Sequence, residues 1–289
     1  MYFLQVIKSL KLLLVDMLEK KRIILNLGYV ASIKEREKVK KDLIKYRKSY
    51  SEVNFDGEEP TIRKDFHETI KYAKNLGYEN IGVTTSGGMF VNLSFVKSTI
   101  EAGLNFVVFS VHGHNAKIHD SITGVKGSFK KILKGIENLR GYPEVDIYTT
   151  TLITKLNYKF LSKITEKNIS IGANSCEFIF VNPKGNVLKD FDKIVPTFKE
   201  VSVFVPKIID IAKTNNVEIQ IGYFPNCYIL GFERYFNKPE ILLKMGEQNI
   251  ELIKGPQCKI CDLNDVCKGI FKEYAKRRGF DELIPIPSQ

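Results

Sequence analysis

The chain has 289 residues, of which 44% are hydrophobic and 27% charged, and a formal net charge of +11. Those proportions describe an ordinary globular protein of one or two domains. Its five cysteines, four of them near the end, argue against a secreted disulfide scaffold and suit a reducing cytoplasm. The positive charge points to acidic partners, but the lysines recur over every predicted helix instead of forming one stripe. No aromatic interleaving marks a platform for single strands, so nucleic acid is not an expected partner.

The first segment has apolar residues at Phe3, Val6, Ile7, Leu10, Leu13, Leu14 and Met17, a helical spacing. Lys8, Lys11 and Asp16 interrupt it, so it is too short and too charged to span a bilayer. No small-residue cleavage site follows, and the expectation is an amphipathic helix packed on the domain. Next come a strand at 22–28, a charged helix at 33–48, a strand at 52–56 and a helix at 63–76 with Thr61 as its N-cap. Strands at 80–85, 106–111, 146–153 and 175–181 alternate with helices at 93–102, 128–139, 158–167 and 197–213.

Such alternation implies right-handed βαβ units and a parallel sheet. The expected architecture is α/β, a partial (β/α)6 TIM-like barrel over residues 1–215, with a doubly wound open sheet as the alternative. In both, ligands bind beyond the C-terminal strand ends, here Gly28, Gly57, residues 85–88, residues 111–113 and Thr154.

From about Val217 the pattern breaks. One more strand at 217–222 precedes an irregular stretch holding Cys227, and a final helix is expected at 265–278 carrying Cys267. Residues 216–289 read as a small metal-stapled segment, too thin in apolar residues to fold well alone. Cys258, Cys261 and Cys267 follow a C-x2-C-x5-C spacing that Cys227 completes to four thiolates. Four thiolates suit either a structural zinc or a cubane iron–sulfur cluster. Cys176 alternates with apolar residues and reads as a core side chain.

In order and spacing the chain resembles the radical S-adenosylmethionine (SAM) superfamily. Asp56-Gly57-Glu58-Glu59-Pro60 is similar to that family's GGEP segment, and Thr84-Thr85-Ser86-Gly87 to the turn after strand three. Ser110-Val111-His112-Gly113, with His119-Asp120, and Thr154-Lys155-Leu156-Asn157 resemble the ends of strands four and five. The four late cysteines resemble the auxiliary cluster segment of the SPASM/twitch type. The resemblance implies a [4Fe–4S] cluster on Cys227, Cys258, Cys261 and Cys267, and a SAM-like pocket at Gly57, Glu58, Glu59, Pro60, Ser110, His112 and Asn157.

It also implies a C-x3-C-x2-C triad after strand one, whose cluster would cleave SAM. Here that loop reads Tyr29-Val30-Ala31-Ser32-Ile33-Lys34, and no cysteine precedes Cys176. Glu58 also replaces a glycine that lets the backbone approach the methionine amine. Two functions are therefore carried forward. One is a radical SAM-type protein that modifies a peptide, protein or small precursor. The other is a non-catalytic iron–sulfur or zinc module acting with a partner, such as an intact paralogue. His112, His114 and His119 read as polar lining and not as a metal triad; Asp56, Ser110 and Asn157 have loop caps as their alternative role.

Overall fold

Alternation along RIILNL makes Arg22–Leu27 the first strand, β1, with Ile23, Leu25 and Leu27 turned to the core. A computed structural model of the chain describes residues 22–28, 31–232, 235, 244–245 and 250–286. The amphipathic helix expected before Arg22 lies outside the described residues, as do Tyr29 and Val30. The chain divides into two compact units, one within the spans 1–110, 130–148 and 240–247, the other within 111–129, 149–239 and 248–289.

In the first unit α1 (Ile33–Arg47) follows β1, entered through a capping box between Ser32 and Glu35. Next come β2 (Glu52–Gly57), α2 (Phe66–Asn75), β3 (Asn80–Thr85), α3 (Leu93–Ala102) and β4 (Phe106–Ser110). The strands pair parallel in the order β4-β3-β2-β1, and the short β8 (Lys244–Met245) adds to the outer edge of β1. Val53, Phe55, Ile81 and Val83 of the strands and Phe66, Ile70, Ala73 and Val96 of the helices are all buried. Most of α5 (Ser128–Leu139) belongs to this unit.

The second unit holds α4 (Ala116–Thr123), most of β5 (Asp146–Ile153), α6 (Leu161–Ser170), β6 (Ser175–Phe180) and β7 (Glu218–Gly222). Its strands follow chain order, β5-β6-β7. Between β6 and β7 lie the short helices α7 (Asn186–Lys189), α8 (Phe191–Ile194) and α9 (Phe198–Ser202), then α10 (Val205–Thr214). Beyond β7 an antiparallel pair, β9 (Leu252–Ile253) and β10 (Ile270–Phe271), leads into α11 (Lys272–Arg278). Sequential strands that are also spatial neighbours, each followed by helix, are the topology of a partial TIM-like barrel.

Several expectations need correction. The helix expected at 197–213 is two helices, because Pro206 at the start of α10 lacks the amide that a continuous helix would require there. The helix expected at 63–76 starts only at Phe66; Thr61 sits inside a 3₁₀ turn, Pro60–Ile62, and Asp65 holds the N-cap. The final helix begins at Lys272, not at residue 265. Gly269 at φ +85 breaks the run, and a Cβ there would meet the Ile253 carbonyl oxygen at 2.1 Å. Cys267 therefore lies in the loop after the turn at 262–266 and not on a helix.

Candidate metal centre and barrel-end sites

The cysteine-bearing tail is fixed by an aromatic seam inside the second unit. Phe180 of β6 stacks on Phe198 at 4.3 Å, and Phe198 meets Tyr274 of α11 at 4.7 Å. Glu282 adds a polar clamp: its carboxylate accepts from the Phe198 amide (2.6 Å) and from the Tyr274 hydroxyl. Its backbone carbonyl accepts from the Tyr228 hydroxyl at 2.6 Å. Tyr228 ends the 3₁₀ turn Asn226–Tyr228 that carries Cys227, so this clamp brings the tail and Cys227 together.

Cys227, Cys258, Cys261 and Cys267 are free thiols, each half-buried, and all four line one pocket with Pro225, Leu263, Ile284 and Lys254. Backbone amides face the sulfurs. Gly269 N–H donates to Cys267 Sγ and Ile286 N–H to Cys261 Sγ, each at 3.4 Å. Backbone hydrogen bonds at Ile284 and Gly255 stabilise the Cys227 and Cys258 thiolates. Burial pushes the Cys227 thiol up to about 11 and raises that of Cys258; repulsion from Cys261 and Cys267 adds to both. A cation in their midst would remove that repulsion and take up the thiolates.

Among the described residues, no group of three or more His, Cys, Asp or Glu side chains closes into a set that holds a metal ion. A tetrahedral zinc with bonds of about 2.3 Å needs its sulfurs within roughly 3.8 Å of one another. A cubane sets each thiolate on its own iron and spreads them farther apart. Four soft donors around one apolar pocket, with amides directed at sulfur, are a donor set that suits thiolate-bound iron or zinc.

The glutamate segment after β2 belongs to the first unit. Gly57 has φ +132, and a Cβ there would meet the Leu27 carbonyl oxygen at 2.3 Å, so only glycine fits. Glu58 is exposed, and Pro60 is buried at the head of its 3₁₀ turn. Both Glu59 carboxylate oxygens are engaged. One accepts from the Thr61 and Thr85 hydroxyls at 2.6 and 2.7 Å, the other from the Ser86 amide at 2.8 Å and the Ser86 hydroxyl at 2.5 Å. Beneath it Arg63, nearly fully buried, pairs with Asp65 through two bonds of 3.0 and 2.9 Å. Ser110 is half-buried at the end of β4.

In the second unit His112 and His119 stack at 5.8 Å. Nδ1 of His112 accepts the Leu152 amide, and Nδ1 of His119 accepts the His112 amide, both at 3.1 Å. Burial pushes the two rings down to about 3 and about 4, so both are neutral near pH 7. Asn157, fully buried, is a loop cap. Its oxygen accepts from the Thr154 amide and hydroxyl; its NH₂ donates to the His112 and Leu152 carbonyls at 2.9 and 2.8 Å. Asp120 accepts from the Gly127 and Phe129 amides and the Ser128 hydroxyl, pinning the start of α5.

The sequence reading missed the Arg63–Asp65 pair, the hydroxyls around Glu59 and the place of Lys254. The first had a signal: opposite charges two apart, directly after a proline turn, in Pro60-Thr61-Ile62-Arg63-Lys64-Asp65.

Residues 23–163 match the model of the Radical SAM superfamily. A probable GTP 3′,8-cyclase of Saccharolobus islandicus (strain M.14.25 / Kamchatka #1) is 24% identical over 236 residues, covering 78% of this chain and 74% of that one. Streptococcus suis SuiB bound to its precursor peptide SuiA matches with TM-score 0.60 at 11% identity, over 92% of this chain and 75% of that one. The structure of anSMEcpe with bound AdoMet and peptide matches with TM-score 0.56 at 15% identity, over 92% of each. Both structures support the partial TIM-like barrel.

Proposed function

We infer that this chain, which carries a Radical SAM superfamily domain, holds an auxiliary [4Fe–4S] cluster on Cys227, Cys258, Cys261 and Cys267 and lacks the cluster that would cleave SAM. Residues 1–215 serve as the barrel and 216–289 as a SPASM/twitch-type cluster segment. The observation that carries the reading is the gathering of all four late thiols around one pocket, with amides directed at their sulfurs.

The missing first cluster rests on composition and on a replacement. No cysteine precedes Cys176. Where the family's thiolate loop would begin, the Gly28 carbonyl is held by Arg63 at 2.8 Å. Glu59, which would lie by the SAM amine, is already bonded to four donors of its own unit. Gly57–Pro60 and Ser110 of the first unit, and His112 and Asn157 of the second, then serve to bind and not to start a radical. The substrate class is a peptide, protein or small precursor, and the peptide bound by SuiB favours the first. The cytoplasm is the compartment that keeps such thiols reduced. Radical chemistry, if any, falls to a partner such as an intact paralogue.

Anaerobic reconstitution followed by iron and sulfide analysis tests this. A single cluster per chain is expected, and zinc without iron would replace the cluster by a structural ion. Two clusters, or 5′-deoxyadenosine formed from SAM and dithionite above background, would overturn the loss of the cleaving site.

A further inference from the structure

We propose that Lys254 tunes the cysteine pocket: its ammonium, fixed beside the four thiols, raises the reduction potential of the cluster bound there. The proposal rests on the cluster reading above. Among the described residues, Lys254 is the one cationic residue lining the pocket; its companions are the thiols, Asn264, Gly269 and apolar side chains such as Leu263, Leu283 and Ile284.

Both ends of the lysine are held. Its Cγ lies 3.1 Å from where a Cβ of Gly269 would stand, so the stem lies along the glycine that precedes β10. Its Nζ donates to the carbonyl of Asn264, in the loop between Cys261 and Cys267. Lys254 is thus exposed to water, while its head is pinned to the carbonyl of Asn264, a residue that lines the same pocket as the four thiols.

A cluster on four thiolates gains one negative charge when an external reductant such as dithionite supplies one electron. No bond to the lysine forms or breaks. The fixed ammonium stabilises the reduced form more than the oxidised one, so the potential rises. The amides of Gly269 and Ile286 act in the same direction. They belong to the backbone, which leaves Lys254 as the contribution that a substitution removes.

The experiment compares wild type, Lys254→Met and Lys254→Arg after anaerobic reconstitution. Iron and sulfide content and the EPR signal of the reduced state confirm the cluster, and mediated redox titration at low and high salt gives the midpoints. Lys254→Met is expected to have a more negative midpoint than wild type, with Lys254→Arg close to wild type. The gap should narrow as salt rises, because the charge is exposed. A wild type without a cluster would refute the underlying reading. Clusters in all three proteins with equal midpoints would refute the role of Lys254 and leave that reading standing. Should Lys254→Met hold no cluster, the wild-type midpoint decides: a fall with rising salt supports the proposal, and a salt-independent midpoint overturns it.

Discussion

Arg63 donates to the carbonyl of Gly28 across 2.8 Å, tying the turn after β2 to the last residue of the β1 run. The same guanidinium is paired with Asp65, and Arg36 adds a second cation 3.5 Å from that carboxylate. The start of the loop after β1 is therefore held by a salt-bridged lock built from protein alone.

Arg63→Met is expected to strand a buried carboxylate and release Gly28. Removing one partner of a buried pair costs about 3–5 kcal/mol, and Arg36 should keep the loss near the lower end. Urea denaturation followed by circular dichroism measures it. A loss below about 1 kcal/mol would show that the lock carries no weight.

Glu59→Gln keeps the shape but exchanges one acceptor oxygen for an NH₂ that faces hydroxyl and amide donors. The expected destabilisation is about 2 kcal/mol, in the range of charge-assisted hydrogen bonds. If Glu59 were held in reserve for a ligand amine, the variant would melt like the wild type.

Acid should weaken the fold in a defined window. Burial holds His112 and His119 down at about 3 and about 4, whereas in the unfolded chain they titrate near about 6.5. Below that value the unfolded state binds protons that the native state refuses. Stability is therefore full above about pH 6.5 and is lost as pH falls toward the native values, by about 1.4 kcal/mol per pH unit for each ring. Asp120 and Glu200, lowered by backbone amides, act in the same sense at lower pH. Urea midpoints that stay constant from about pH 7 to about pH 5 would contradict rings held neutral in the native state.

Cys267→Ala should abolish the visible absorbance of the reconstituted cluster. It should also lower the melting temperature of the loaded protein, since a structural metal site contributes about 10 kcal/mol or more of apparent binding energy. An unchanged melt would mean that these thiols hold nothing.

The strands were legible because each is a short β-rich run closed by glycine or a polar turn; β3, α3 and β5 lie where the periodicity puts them. The break at Pro206 was missed because apolar spacing continues through it, from Val201 to Val205 and Ile208. The helix start at 265 was wrong for a related reason: helical spacing does not register that Gly269 must lie against the Ile253 carbonyl. The cysteine spacing marked the thiols. It carried no trace of Lys254, whose place depends on a bond to Asn264, nor of the saturation of Glu59 by Thr61, Thr85 and Ser86.

The aromatic seam from Phe180 through Phe198 to Tyr274 anchors the tail without recourse to sulfur. Cys258, Cys261 and Cys267 thus stay delivered to Cys227 even in the bare polypeptide. On the cluster reading proposed above, oxygen damage to a bound cluster would leave a standing mould, and repair would be a matter of refilling it rather than refolding the chain.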